Sequence, residues 1–277
     1  RGFLIGKGYC IIGDGSGAPD MYSDVGFVVC IFCAQLQSGQ LLEAERIDAD
    51  GLVVAPGFID PHTHAVCHLI SVDSERRRNL AFGFQGVTTV LIGNDGRGGA
   101  DVTAQAERLE SQKIGTNVAY LAGFGHIRKK IIGDAARAPS DAELGRMKMM
   151  INDAMCQGAY GLSAGLYYPP QNFAKTDEVV ALAKIAARYG GYYDTHLRDE
   201  STYNIGLFGA VEEALEIGKR SGAAVHIAHI KALGPAVWGH SEKIIKRVEE
   251  ARLAGQIVTA DQYPWSASGT RISNALV

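Results

Sequence analysis

Pro56-Gly57-Phe58-Ile59-Asp60-Pro61-His62-Thr63-His64 is the stretch from which the rest of the chain is read. An apolar run over residues 52–60 closes on a turn that carries two histidines one residue apart. Successive side chains on an extended backbone alternate faces, so His62 and His64 point the same way and can grip one metal ion. A lone histidine at this place would be read as structural. Two at this spacing, at the carboxyl end of an apolar strand, point to a metal.

Outward from that stretch, apolar strands alternate with amphipathic helices. Strands are expected over residues 52–60, 88–95, 118–124, 160–164, 192–196, 224–230 and 257–262, with helices such as 141–157, 176–189, 211–221 and 241–254 between them. Continuous apolar strands each followed by a helix imply a parallel sheet covered on its outer faces. The count is one unit short of a TIM-type (β/α)8 barrel, and an open doubly wound sheet is the alternative. Polar residues gather at the end of nearly every strand rather than at one switch point, which favours the barrel. The barrel domain is assigned to residues 52–277. Residues 1–51 alternate short apolar runs with turn residues and read as the N-terminal part of a small β-rich domain.

Further chemistry lies at the strand ends. His196 in Tyr193-Asp194-Thr195-His196 and His229 in His226-Ile227-Ala228-His229-Ile230-Lys231 each close a separate apolar strand, where a barrel collects its catalytic groups. His226 lies three positions before His229, so strand alternation sends it to the other face, and it reads as structural. His68, His126 and His240 have no strand-end partner and read as solvated or locally hydrogen-bonded. Gly161-Leu162-Ser163-Ala164-Gly165 fits the GxSxG elbow of serine hydrolases, but Leu166-Tyr167-Tyr168-Pro169-Pro170 follows where an elbow needs a helix. Cys30 and Cys33 form a CxxC with no second pair, and read as buried thiols on a strand. The glycine cluster at residues 13–17 lacks a phosphate-loop spacing and reads as a hairpin turn.

Composition bounds the classes. The 277 residues are 47% hydrophobic and 21% charged with a formal net charge of −3, ordinary for a globular protein and without a footprint for nucleic acid. No apolar run approaches the roughly 20 residues of a membrane helix. The cytoplasm is the expected location, and the periplasm or secretion stays open because the chain starts at Arg1 without a methionine and would not show a leader.

The motifs resemble the amidohydrolase superfamily, and within it the N-acyl-D-amino-acid deacylases (D-aminoacylases). The PGFIDPHTH segment, with one histidine on the fifth and one on the sixth strand, carries the broad likeness. Gly86-Val87-Thr88-Thr89-Val90, Gly161-Leu162-Ser163-Ala164-Gly165-Leu166-Tyr167-Tyr168-Pro169, Thr195-His196-Leu197-Arg198-Asp199-Glu200, His229-Ile230-Lys231 and Asp261-Gln262-Tyr263-Pro264-Trp265 carry the finer one. The resemblance implies hydrolysis of a linear amide in an N-acyl-D-amino acid by water activated on one or two zinc ions, with His62, His64, His196 and His229 as ligands. It implies that Lys231 and Tyr263 face the substrate carboxylate, with Arg198 a further candidate and Tyr168 and Ser268 as pocket residues.

Two departures matter. Where such deacylases carry a metal-bridging cysteine, this chain has Asp95 in Gly93-Asn94-Asp95-Gly96. A carboxylate is harder than a thiolate and zinc accepts both, so Asp95 either bridges two ions, leaves one site weak, or merely caps a loop. The resemblance also places a proton-shuttling aspartate on an eighth strand, beyond residue 277, with Asp199 and Asp261 next in line within the chain. The expectation is therefore a C-terminally truncated enzyme or an inactive metal-binding fragment. No lysine closes the fourth strand, which lowers the alternative of a cyclic-amide hydrolase of the dihydroorotase or hydantoinase kind.

Overall fold

The computed structural model describes residues 55–270 together with two short N-terminal strands. Those strands, β1 (Cys10–Ile12) and β2 (Val28–Cys30), pair antiparallel with Cys10 opposite Cys30. The rest of the expected N-terminal domain, its boundary at residue 51, the turn at 13–17 and Cys33 lie outside the described residues.

The main body is a seven-stranded parallel sheet in strict chain order: β3 (Phe58–Asp60), β4 (Val87–Ile92), β5 (Asn117–Gly123), β6 (Gly161–Gly165), β7 (Tyr192–His196), β8 (Val225–Ile227) and β9 (Val258–Ala260). A doubly wound sheet would show a reversal of order, and none occurs. The sheet curls, so that residues following β3 and β9 line one common cavity and Asp60 feels the charge of Asp261. Every residue of β6 is buried, as are the last six of β5, because helices cover the outside and side chains fill the inside.

Short helices α1 (Val66–Leu69), α2 (Ser74–Arg77) and α3 (Leu80–Gly83) connect β3 to β4. Longer ones follow: α4 (Val102–Ser111), α5 (Phe124–Ile132), α6 (Asp141–Cys156), α7 (Thr176–Arg188), α8 (Gly206–Ser221) and α9 (Ser241–Leu253). Two of them start on a side-chain cap: the Asp101 side chain accepts from Ala104 N at the start of α4. The Ser140 side chain accepts from Glu143 N while Glu143 returns a bond to Ser140 N, a capping box that opens α6. Apolar residues at helical spacing, such as Val179, Leu182, Ala183 and Ala186 on α7, turn one stripe of each helix onto the sheet. Among the described residues no helix is long and apolar enough to cross a membrane.

The observed elements correct several expected bounds. The sixth strand stops at Ile227 instead of running to residue 230, and the second at Ile92 instead of residue 95. In both cases the chain leaves the sheet early to bend polar residues over the mouth. Helix α8 begins at Gly206, five residues before its expected start.

One buried charge ties helix to loop. Arg128 on α5 is fully buried, donates to Glu178 of α7 at 3.0 Å, and also donates to the carbonyls of Pro170 at 2.8 Å and Arg137 at 2.7 Å. Burial pushes the Glu178 carboxyl up despite this partner. Arg128→Met is expected to lower unfolding free energy by roughly 3–5 kcal/mol, since it strands Glu178 without its counter-charge. Glu178→Gln, which keeps a neutral acceptor, should cost distinctly less. Urea denaturation of both variants measures the difference, and equal losses would remove the charge argument.

Candidate metal centre

The site begins at the end of β3. Thr63, between the two histidines, turns away from them, and its hydroxyl donates to Leu91 O at 2.6 Å. Asn94 holds the segment by accepting from Thr63 N at 3.3 Å and donating to Pro61 O at 3.0 Å. Alternation therefore leaves His62 and His64 on the mouth side, with ring centroids 5.4 Å apart. His196 ends β7. His229 lies two residues past β8 at φ 36°, so the bend of the chain rather than strand alternation aims it.

Asp95 is the common neighbour. Its Oδ1 lies 3.6 Å from His62 Nε2, 3.7 Å from His196 Nδ1 and 3.8 Å from His229 Nε2, and its Oδ2 lies 3.4 Å from His64 Nε2. His196 Nδ1 and His229 Nε2 approach to 2.9 Å. Two triads result, His62–His64–Asp95 and Asp95–His196–His229, each with its ligand atoms within 4.8 Å of one another. All five sequence-expected metal residues are thus brought together, with Asp95 shared.

The surroundings test whether a cation fits. Both ring nitrogens of His62 and Oδ1 of Asp95 are buried without a hydrogen-bond partner. A buried orphan of this kind costs about 1–3 kcal/mol; His62 Nε2 and Asp95 Oδ1, 3.6 Å apart, fit a divalent ion that would satisfy both, while His62 Nδ1 points the other way. Burial holds His62 and His196 down to about 4, so both are neutral ligands at neutral pH. Burial also opposes charge on Asp95 and His229, yet their contacts outweigh it. The imidazoles hold Asp95 well below the usual carboxylate range, and Asp95 with Glu200 raises His229 to about 9.

Asp95 has a left-handed backbone, φ 57°, and is followed by Gly96 at φ 71°. Two side chains hold this turn. Ser163 Oγ donates to Gly93 O and accepts from Gly96 N, bracketing Asn94 and Asp95. Gln171 donates to Asp95 O at 2.9 Å and accepts from Gly165 N at 2.8 Å. Gly98 lets the loop lie on β5, because a Cβ there would stand 1.9 Å from Leu121 O. Ser163 is therefore a brace, buried and with a loop after it, and not an exposed nucleophile.

Sequence reasoning assigned no role to Glu200, Gln171 or Asn94. Glu200, buried after β7, lies 3.2 Å from His229 Nδ1 and accepts from Lys231 Nζ at 2.5 Å. It fixes the outward nitrogen of His229, the usual office of a carboxylate behind a ligating imidazole. Its only sequence signal was its place in Thr195-His196-Leu197-Arg198-Asp199-Glu200. Asp194 on β7 is fully buried, and burial, with the charges of Asp95 and Asp261, holds its carboxyl well above the usual range.

A cavity of about 740 Å³ opens over the cluster and is lined by Lys231, Tyr263, Tyr168 and Ser268. Lys231 Nζ stands 5.7 Å from the Tyr263 ring centroid, and the Tyr168 hydroxyl 3.4 Å from His196 Nδ1. Arg198 corrects the sequence reading. Its guanidinium points away from this cavity and is consumed by Glu213, at 2.7 and 2.9 Å, and by the carbonyls of Asn172 and Ala174. Asp199 is likewise committed, accepting from the backbone of Ser201, Asn204 and Gly206. Asp261 accepts from His229 N and pairs with His226 at 2.7 Å, which turns His226 out of the cluster. His68, His126 and His240 are exposed. A larger cleft of about 810 Å³ lies outside between α7 and α8, where Arg198 pairs with Glu213 and Arg247 with Glu212 and no imidazole faces it.

Asp95→Ala is expected to abolish binding of at least one metal equivalent, measured by elemental analysis after dialysis. Asp95→Cys should retain metal and favour zinc over harder ions. Full metal content in Asp95→Ala would reduce the residue to a loop cap. Metal uptake at pH 7 should also release about one proton, because His229, raised to about 9, must surrender its charge to ligate. Titration calorimetry in buffers of different ionisation enthalpy counts that proton, and His229→Asn should eliminate it.

Comparison with known proteins gives the family. The chain is 32% identical to a D-aminoacylase of Alcaligenes xylosoxydans xylosoxydans over 94% of its length, covering 57% of that relative. It is 33% identical to an N-acyl-D-glutamate deacylase of the same organism over 93%, covering 56%. The chain thus spans about half the length of the curated relatives it matches. Among solved structures, N-acyl-D-glutamate deacylase of Bordetella bronchiseptica, complexed with zinc and a phosphonate inhibitor, superposes with a TM-score of 0.69 at 34% identity, over 76% of this chain and 48% of that one. An L-hydantoinase of Arthrobacter aurescens, at 18% identity and a TM-score of 0.55, shares the fold. Residues 45–256 match the model of the amidohydrolase family, and the chain belongs to that family.

Proposed function

We propose that this chain supplies the metal centre and a substrate-binding wall for hydrolysis of the linear amide in N-acyl-D-amino acids. The observation that carries the reading is the pair of histidine triads joined through Asp95 directly beneath Lys231 and Tyr263. The D-aminoacylase and N-acyl-D-glutamate deacylase names of the relatives support it, as does the absence of a lysine at the end of β6, Gly161–Gly165, which counts against a cyclic-amide hydrolase.

In this reading His62, His64, Asp95, His196 and His229 hold one or two zinc ions. The chemistry supplied by such an ion is acidification of water toward a pKa of about 7 and polarisation of an amide carbonyl. The groups of this chain bind and orient the substrate. Lys231 neutralises the substrate carboxylate, exchanging its contact with Glu200 for one with substrate. Tyr263 and Ser268 close that end of the cavity. Burial keeps the Tyr168 hydroxyl protonated, so beside His196 it is a donor for charge developing on the carbonyl oxygen. Glu200 and Asp261 keep His229 in place from two sides.

The zinc-loaded protein is expected to release amino acid from N-acetyl-D-amino acids and not from their L-enantiomers. Lys231→Met should raise KM roughly tenfold or more with bound zinc unchanged, as loss of a charge-assisted hydrogen bond worth about 1.5–3 kcal/mol implies. Faster opening of a hydantoin or dihydropyrimidine ring than of any linear D-substrate, at full zinc occupancy, would overturn the proposal.

A further inference from the structure

A second recess of about 360 Å³ opens beside the metal centre and shares Asp95 and Tyr168 with it as walls. Its floor is the Gln171 amide, seated under two glycines. A Cβ would stand 2.1 Å from Gln171 Oε1 at Gly96 and 2.5 Å from the same amide at Gly125. No side chain fills the space above, and two cationic residues, Arg97 and Lys129, line its sides together with the His126 imidazole, whose pKa burial lowers.

The charges there are not balanced. Among the described residues no carboxylate lies within ion-pair distance of Arg97, whose guanidinium carbon stands 5.6 Å from the Tyr168 ring centroid. Lys129 meets Asp134 at 3.3 Å, but that contact is at the surface, where both side chains are more than half exposed, and Asp134 does not line the recess. Asp95 is the one carboxylate in the wall, and its oxygens face the imidazoles. By contrast Lys231, the basic residue across the main cavity, is matched by Glu200.

Position decides which part of a substrate meets this charge. Arg97 follows β4, and His126 and Lys129 belong to α5 after β5. Lys231 follows β8, and the curled sheet sets these two groups on either side of the metal cluster. A linear amide held at the cluster with its amino-acid carboxylate at Lys231 directs its acyl chain toward Arg97. The Tyr168 ring touches both sides, 4.6 Å from the His196 ring and 5.6 Å from the Arg97 guanidinium carbon, a span that suits a short acyl chain.

We infer that the Arg97 recess is an acyl-side subsite for a carboxylate, so the substrate class is N-acyl amino acids whose acyl group is a short dicarboxylic half-amide of succinyl or glutaryl length. This inference rests on the reading of the metal centre as an amide-hydrolysing site. An arginine in a half-enclosed recess presents its fork to a carboxylate in two parallel hydrogen bonds, and Lys129 adds a mobile second charge.

The test is glutarate binding to the zinc-loaded full chain at low salt, measured by calorimetry with acetate as the reference ligand. Glutarate is expected to bind more tightly than acetate, to lose about tenfold in Arg97→Gln, and to recover most of it in Arg97→Lys. In steady state, the ratio of kcat/KM for an N-glutaryl-D-amino acid to that for its N-acetyl counterpart should fall about tenfold in Arg97→Gln. Arg97 is exposed, so the variants are expected to melt like the parent, and Lys129→Gln gives an independent, smaller loss. Glutarate binding that is unchanged in the Arg97→Gln/Lys129→Gln double variant overturns the subsite, whatever the N-acetyl activity. Arg97-dependent glutarate binding without hydrolysis of any D-amide supports the recess and overturns the activity proposed above, so the two failures are distinct.

Discussion

The Asp95 carboxylate faces four imidazoles at 3.4 to 3.8 Å, and the rest of the site is arranged around that convergence. Two imidazoles arrive from the turn after β3, one from the end of β7 and one from beyond β8. Without a shared anion the ring nitrogens of His62, His196 and His229 would crowd one another with no common acceptor, while His64 reaches solvent. With it, His62, His196 and His229 share Oδ1 and His64 takes Oδ2. Burial works against charge on Asp95, and the summed attraction of its neighbours overcomes that penalty, which explains why the carboxylate stays ionised deep in the mouth of the sheet.

That geometry is bought with backbone strain. Asp95 and His229 are two of the four described non-glycine residues at positive φ, a conformation that costs of order 1–3 kcal/mol where the surroundings do not impose it. Ser163 and Gln171 impose it at Asp95 through bonds on both sides of the turn. Asp261, through His229 N, and Glu200, through His229 Nδ1, do so at His229. The strain is local, while the braces come from β6 itself and from the segments that follow β6, β7 and β9. Partners from four places in the chain therefore set ligand positions that one loop alone would not hold.

Charge follows the same division. The buried pair Arg128–Glu178 and the paired Arg198–Glu213 secure the outer helices and the loop after β6. The mouth holds charges of a different kind. Lys231 has one carboxylate partner that substrate can displace, and Arg97 has no carboxylate partner among the described residues. A structural ion pair is closed to solvent on both members, whereas the mouth charges face open volume, and that contrast separates support from recognition more reliably than residue type.

Much of this was legible in the chain itself. Apolar runs followed by amphipathic stretches determine a parallel sheet, because only strands buried on both faces lack alternation, and seven of them in chain order appear where the runs stand. The HxH turn, His196 and His229 declare themselves by closing such runs. What the sequence could not decide is which polar neighbours of those histidines face inward. Arg198 and Glu200 stand two residues apart in one motif, yet one braces an outer helix and the other holds His229. Asp95 and Arg97 are as close in sequence, and one joins the metal cluster while the other opens a separate recess. Once the chain leaves a strand, side-chain direction is no longer set by a two-residue period but by turn dihedrals and by distant partners. The bonds that fix it here, Gln171 to Asp95 and Asp261 to His229, span 76 and 32 residues and exist only in the folded chain.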